Sequence, residues 1–142
     1  MSKHLKSLQD VYDAVPRIDC KGLCHGACGP VPATRREIET INAASLIPFG
    51  TRADGYCSML AGGRCSVYAQ RPLLCRLWGV LKKMRCPHGC EPERWLSDAQ
   101  STELLEAAAR LGGGYDLELL GAMLAQVTEE LAPSPLVCSE GR

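Results

Sequence analysis

Crowded cysteines constrain this chain more than any other feature. Of nine Cys in 142 residues, eight lie between positions 20 and 90: Cys20, Cys24, Cys28, Cys57, Cys65, Cys75, Cys86 and Cys90. The ninth, Cys138, stands alone near the C-terminus. Thiols this dense must end as metal ligands or as disulfides. Eight thiolates are enough for two four-thiolate sites, or for one iron–sulfur cluster and a second site.

A disulfide framework needs an oxidising compartment. The N-terminus, MSKHLKSLQDVYDAVP, is polar and periodic and lacks the apolar core of a secretion signal. No run of about 18 apolar residues is present to span a membrane. Both observations point to a cytoplasmic chain, where clustered cysteines serve as ligands. The length suits one domain, and aromatics are scarce, with one Phe, two Trp and four Tyr. A core so modest leans on metal for part of its stability. Thiolate donors select zinc or an iron–sulfur cluster. No cluster of Asp and Glu accompanies them, which excludes hard, oxygen-seeking ions. The spacings Cys20/Cys24/Cys28 and Cys86/Cys90 suit zinc knuckles, whereas Cys57/Cys65/Cys75 are too far apart for a strict double C-x2-C ribbon.

The sequence predicts a small α-rich, metal-bound domain. Residues 2–14 form a short amphipathic helix with Leu5, Leu8, Val11 and Tyr12 on one stripe, ended by Pro16. Residues 20–32, rich in Gly and Pro, read as a loop wrapped round a ligand. Thr34 and Glu37 make a capping box that starts a helix, and Pro48 stops it. Residues 57–68 read as a β-hairpin turned at Gly62-Gly63. Residues 70–82 begin a helix with Pro72 in its first turn, and 86–90 form a tight loop. Amphipathic helices over 98–111 and 116–131, joined at Gly112-Gly113-Gly114, make a C-terminal α-helical hairpin. The single domain thus divides into an N-terminal helix (1–19), an irregular cysteine-ligated module with its short hairpin (20–90), a helical hairpin (91–132) and a loose tail (133–142).

Charge is uneven although the net charge is zero. Residues 57–90 carry Arg64, Arg71, Arg76, Lys82, Lys83 and Arg85 and no acidic side chain. Either these are solvated surface charges, or they offset the negative charge of a thiolate site. Arg71 and Arg76 flank Cys75 and are expected to face the same site, donating hydrogen bonds to its sulfur. His25 and His88 lie inside cysteine loops, as ligands or as loop side chains, and His4 reads as surface. Trp78 and Trp95 are expected in the core. C-x3-C-x3-C departs from the radical C-x3-C-x2-C pattern, Cys86 to Cys90 is one residue too long for a redox C-x-x-C, and Cys24-His25 lacks the spacing for haem attachment. No Ser/His/Asp arrangement or phosphate loop appears, so no catalytic residue is assigned.

Cys20-x3-Cys24-x3-Cys28, followed by Asp54-Gly55-Tyr56-Cys57, Gly63-Arg64-Cys65-Ser66-Val67-Tyr68 and Arg71-Pro72-Leu73-Leu74-Cys75-Arg76, resembles the YkgJ-type cysteine-cluster family of CxxCxxCC zinc- or iron-chelating domains. The Cys-x-[Ile/Val]-Tyr-x-x-Arg-Pro-x-x-Cys-Arg string is its most specific part, and Cys65 through Arg76 match it without a gap. The resemblance spans residues 20–76, extends to 86–90, and leaves out the C-terminal helices. It implies metal chelation and no particular activity. In one departure, the family's first motif ends in adjacent cysteines where this chain has Gly29; Cys86 or Cys90 would fill that ligand position.

All eight clustered cysteines are expected near metal, Cys20, Cys24, Cys28 and Cys75 in one set and Cys57, Cys65, Cys86 and Cys90 in the other. The expected function is a zinc- or iron–sulfur-binding structural or interaction module. An iron–sulfur redox or sensing protein is the alternative, and a nucleic-acid-binding zinc protein comes third. Against nucleic acid, net charge is zero and aromatics do not alternate with the basic residues. The C-terminal helices are a candidate surface for a protein partner.

Overall fold

The computed structural model describes residues 5–21, 28–29 and 31–115. Cys24, His4, His25, Cys138 and the expected second helix over 116–131 lie outside these residues. Among the described residues, four helices and one antiparallel hairpin make up the regular structure: α1 (Leu8–Asp13), α2 (Arg35–Ala43), β1 (Leu60–Ala61), β2 (Arg64–Cys65), α3 (Leu73–Leu77) and α4 (Asp98–Leu111), with single 3-10 turns at Tyr68–Gln70 and Lys82–Met84. No helix among the described residues is long and apolar enough to cross a membrane.

Three of the helices start on capping boxes. Ser7 and Asp10 exchange side-chain and backbone bonds at α1, Thr34 and Glu37 at α2, and Ser97 and Gln100 at α4. Each box satisfies two amide N–H groups that an isolated helix leaves bare. The fourth helix, α3, follows Pro72 and is shorter than the expected helix over 70–82. Trp78 turns extended after one and a half turns, and Gly79 adopts φ +90°, which ends the helix at Leu77. A side chain at position 79 would be strained there and would also press on Ile18.

Two apolar cores follow. In the first, Val11 of α1, Leu73 and Leu77 of α3, and Leu104, Ala107 and Ala108 of α4 pack with Val80, Leu81 and Leu96. Each buried Leu in it contributes about 1.5–3 kcal/mol. The second is smaller and holds Ala33, Ile41 of α2, Phe49, Cys57, Met59 and Val67, with Cys28 and Cys65 packed against it. The hairpin turns at Gly62-Gly63, both at positive φ, and pairs Leu60 with Cys65 and Ala61 with Arg64.

Glu37 joins the pieces. The residue is 2% exposed. One oxygen accepts from Thr34 N–H and Thr34 Oγ1, at 2.9 and 3.2 Å. The other accepts from Tyr12 Oη at 2.7 Å and from Leu73 N–H at 2.8 Å. One carboxylate therefore links α1, the start of α2 and the start of α3. The end of α4 closes on the same place: Arg35 N–H donates to Gly114 C=O and Arg36 N–H to Gly112 C=O.

Candidate metal centre

Four segments carry the first thiol group. Cys28 follows a Gly-rich stretch of sequence, and its carbonyl accepts from Cys57 N–H at 2.9 Å. Cys57 bridges back to Thr51 and accepts from Met59 N–H at its own sulfur, 3.5 Å. Cys65 stands on β2, and Cys75 is presented by α3. Each of these four sulfurs lies within electrostatic reach of the other three. Burial pushes the Cys28 thiol up to about 11, and Cys57 and Cys65 push it the same way while Arg52 opposes them. Burial raises Cys57 as well, and it drives Cys75 far above the ordinary thiol range with help from Cys57, Cys28 and Cys65.

A second group forms around the 86–90 loop. Cys86 and Cys90 are 8% and 7% exposed, and Cys20 is exposed. Burial raises the Cys90 thiol; a hydrogen bond from Lys21 N–H works against this, while the Cys86 and Cys20 sulfurs add to it. Cys86 Sγ accepts from His88 N–H at 3.3 Å, and the Lys21 ammonium donates to His88 C=O at 3.0 Å.

This grouping differs from the expected partition. Cys28 and Cys75 keep company with Cys57 and Cys65, and Cys20 joins Cys86 and Cys90. Short spacing in sequence suggested keeping Cys20 with Cys28. In the fold, the chain at Cys28 is drawn to Cys57 by a backbone bond and by the second core. Among the described residues, no three Cys, His, Asp or Glu side chains are set closely enough to hold a metal ion as they stand. The thiols are gathered but not closed.

Arg71 and Arg76 stand near Cys75 in charge but spend their hydrogen bonds elsewhere. Arg71 eases the Cys75 thiol downward. Its guanidinium donates to Tyr68 C=O at 2.9 Å and stacks on the Tyr68 ring at 3.9 Å. Arg76 donates to Arg71 C=O and Ala69 C=O, at 2.8 and 3.0 Å, and covers the Tyr12 ring at 3.8 Å. Burial lowers the Arg76 guanidinium from its usual value, Arg71 adds to this, and Tyr12, Glu37 and Cys75 pull it back.

The guanidinium that sequence reasoning missed is Arg52. It pairs with Asp54 at 2.6 Å, donates to Leu60 C=O at 2.9 Å, and bears on both Cys28 and Cys57. It lies upstream of the basic stretch, and its signal is the Arg-x-Asp-Gly turn, in which Gly55 at φ +88° donates back to Arg52 C=O. Trp78, expected inside, is 36% exposed. Trp95 is half-buried with the Lys82 ammonium over its ring at 5.9 Å.

No curated protein and no solved structure matches the chain. Residues 19–101 match the model of the CxxCxxCC family, described as a "putative zinc- or iron-chelating domain". That stretch holds every thiol of both groups, and the chain belongs to this CxxCxxCC chelating-domain family.

Proposed function

We propose that this protein is a metal-binding structural or interaction module. Cys28, Cys57, Cys65 and Cys75 hold one zinc ion or iron–sulfur cluster, and Cys20, Cys86 and Cys90 belong to a second site. Cys24 is the remaining clustered thiol and is a ligand on its sequence position alone. The observation that carries this reading is the convergence of four thiols from four separate segments, three of them in or against one small core and the fourth, Cys75, within electrostatic reach of all three. Their chemistry fits the family's metals, since an all-sulfur donor set suits zinc or iron–sulfur and repels hard ions.

The positions of the sulfurs support a structural role. Cys57 is itself a member of the second core, and Cys28 and Cys65 line it. A metal there ties the loop at 28, the turn at 57, β2 and α3 into one unit. Structural thiolate sites supply about 10 kcal/mol or more to folding. With metal bound, the thiols give up their protons, Arg52 offsets part of the resulting charge, and the surrounding side chains keep water from the sulfurs.

Anaerobic purification with an absorption spectrum and elemental analysis tests this reading. A brown protein with sulfide identifies a cluster, and a colourless one with stoichiometric zinc identifies the ion. A preparation that retains neither metal would sink the proposal. Cys65→Ser and Cys75→Ser should each lower the metal content, and Cys138→Ser should leave it unchanged.

A further inference from the structure

The second thiol group contains a nitrogen with nothing to bind. His88 Nε2 is buried and has no hydrogen-bond partner. A buried polar atom left this way costs about 1–3 kcal/mol. The rest of the residue is firmly held. Its N–H donates to Cys86 Sγ, its carbonyl accepts from Lys21, and Gly89 beyond it turns the chain at φ +86° so that Gly89 N–H returns to Cys86 C=O. A histidine midway between two buried thiols, in a loop pinned at both ends, could have turned its ring to solvent. Here the ring nitrogen is buried instead.

We propose that His88 Nε2 is the nitrogen donor of the second site, which with Cys20, Cys86 and Cys90 takes a single ion of the zinc class in a three-sulfur, one-nitrogen set. Imidazole and thiolate together are a zinc donor set. The two buried thiols and the buried Nε2 would form the inner side, and Cys20, the exposed member, would close on them when the ion binds. This rests on the reading of the protein as a metal-binding module but differs from it in kind: the two sites are unlike, one all sulfur and one mixed.

The test is cadmium-113 NMR of the full chain loaded with Cd²⁺, with zinc stoichiometry measured in parallel. The wild type should give two resonances, one at the position of four sulfurs and one shifted toward three sulfurs and one nitrogen. His88→Ala should lower zinc retention at the second site at least about 10-fold, since changes merely around a ligand already cost about 10–100-fold. It should move or abolish only the second resonance, and the persisting first one reports that the fold is intact. His88→Gln, which restores a hydrogen-bonding side chain without the imidazole, should behave like His88→Ala. Two unchanged resonances in His88→Ala would overturn the inference. Rescue by His88→Gln would do the same, because a water-binding role would then suffice. Loss of both resonances also overturns it, since a donor to the second site leaves the first intact. A wild-type protein that takes up no Cd²⁺ and no zinc fails the metal-binding reading itself, a different result from any of these.

Discussion

Glu37 shows how much one side chain can hold. Its two oxygens accept four bonds from three parts of the chain, and burial makes each bond hard to replace. Glu37→Ala leaves those donors without an acceptor and should destabilise the fold by roughly 3–5 kcal/mol in chemical denaturation. Glu37→Gln should cost less, because the amide oxygen still accepts, although its NH₂ group meets donors where an acceptor stood. Cys28 sets a second expectation at this scale. Its thiol rises from 9.0 to about 11 in the folded, metal-free protein. A raised thiol favours the neutral form in the fold. Its contribution is therefore complete below pH 9.0 and is lost as pH climbs toward 11. Metal-free protein should lose thermal stability across that window, whereas metal-loaded protein, with its sulfurs already deprotonated, should not. The same protons make metal uptake steeper with pH: apparent affinity should rise about 10-fold per pH unit for each proton released near neutrality. A chelator competition run at several pH values checks it.

Helix α3 carries Leu73 and Leu77 into the first core and Cys75 to the thiol group, so its placement decides whether the site can form. Arg76 holds it there by reaching back to the carbonyls of 69 and 71 and across to Tyr12 of α1. Arg76→Ala should reduce metal retention by loosening this helix, and Arg76→Lys should restore only part, because one ammonium cannot serve two carbonyls and a ring face together. A matching loss of thermal stability in the metal-free Arg76→Ala protein would separate this role from direct bonding to sulfur. Gly112 is a second control point. A Cβ there would collide with the Thr34 side chain, which caps α2. Gly112→Ala should therefore destabilise the protein by about 1–3 kcal/mol through overpacking, read as a fall in melting temperature. What was legible in the sequence at this scale is what is local. The Thr34/Glu37 box, the Gly62-Gly63 turn, the start of α3 after Pro72 and the helix over 98–111 each depend on neighbours a few residues away. The early end of α3 was not legible, because Gly79 acts there through a positive φ beside Ile18. Nor was the second half of Glu37's work, since its bond to Leu73 spans 36 positions. The eight cysteines marked the sites, but their grouping is a tertiary fact: nothing in the spacing says that Cys28 leaves Cys20 to join Cys57.

At the scale of the molecule, two cores of different make-up share one chain. The first is closed by aliphatic packing among α1, α3 and α4, and the second is small and built around sulfur. Removing metal should therefore unfold the protein unevenly. Hydrogen exchange after chelation should show protection lost first at Ile41, Met59, Cys65 and Val67, and retained longest at Leu104 and Ala108. Uniform loss would mean that the two cores rise and fall together. The separation of the first group's ligands also has a consequence in time. Cys28 precedes Cys75 by more than half of the residues matched by the family, and ribosomes add about 5–20 residues per second. For several seconds of each chain's synthesis, the early thiols exist without their last partner, open to oxidants and to the wrong metal. Before it has folded, the chain's early thiols are therefore open to chemistry that a closed site would exclude, and the metal supply and reducing power around the ribosome bear on the fraction of chains that mature.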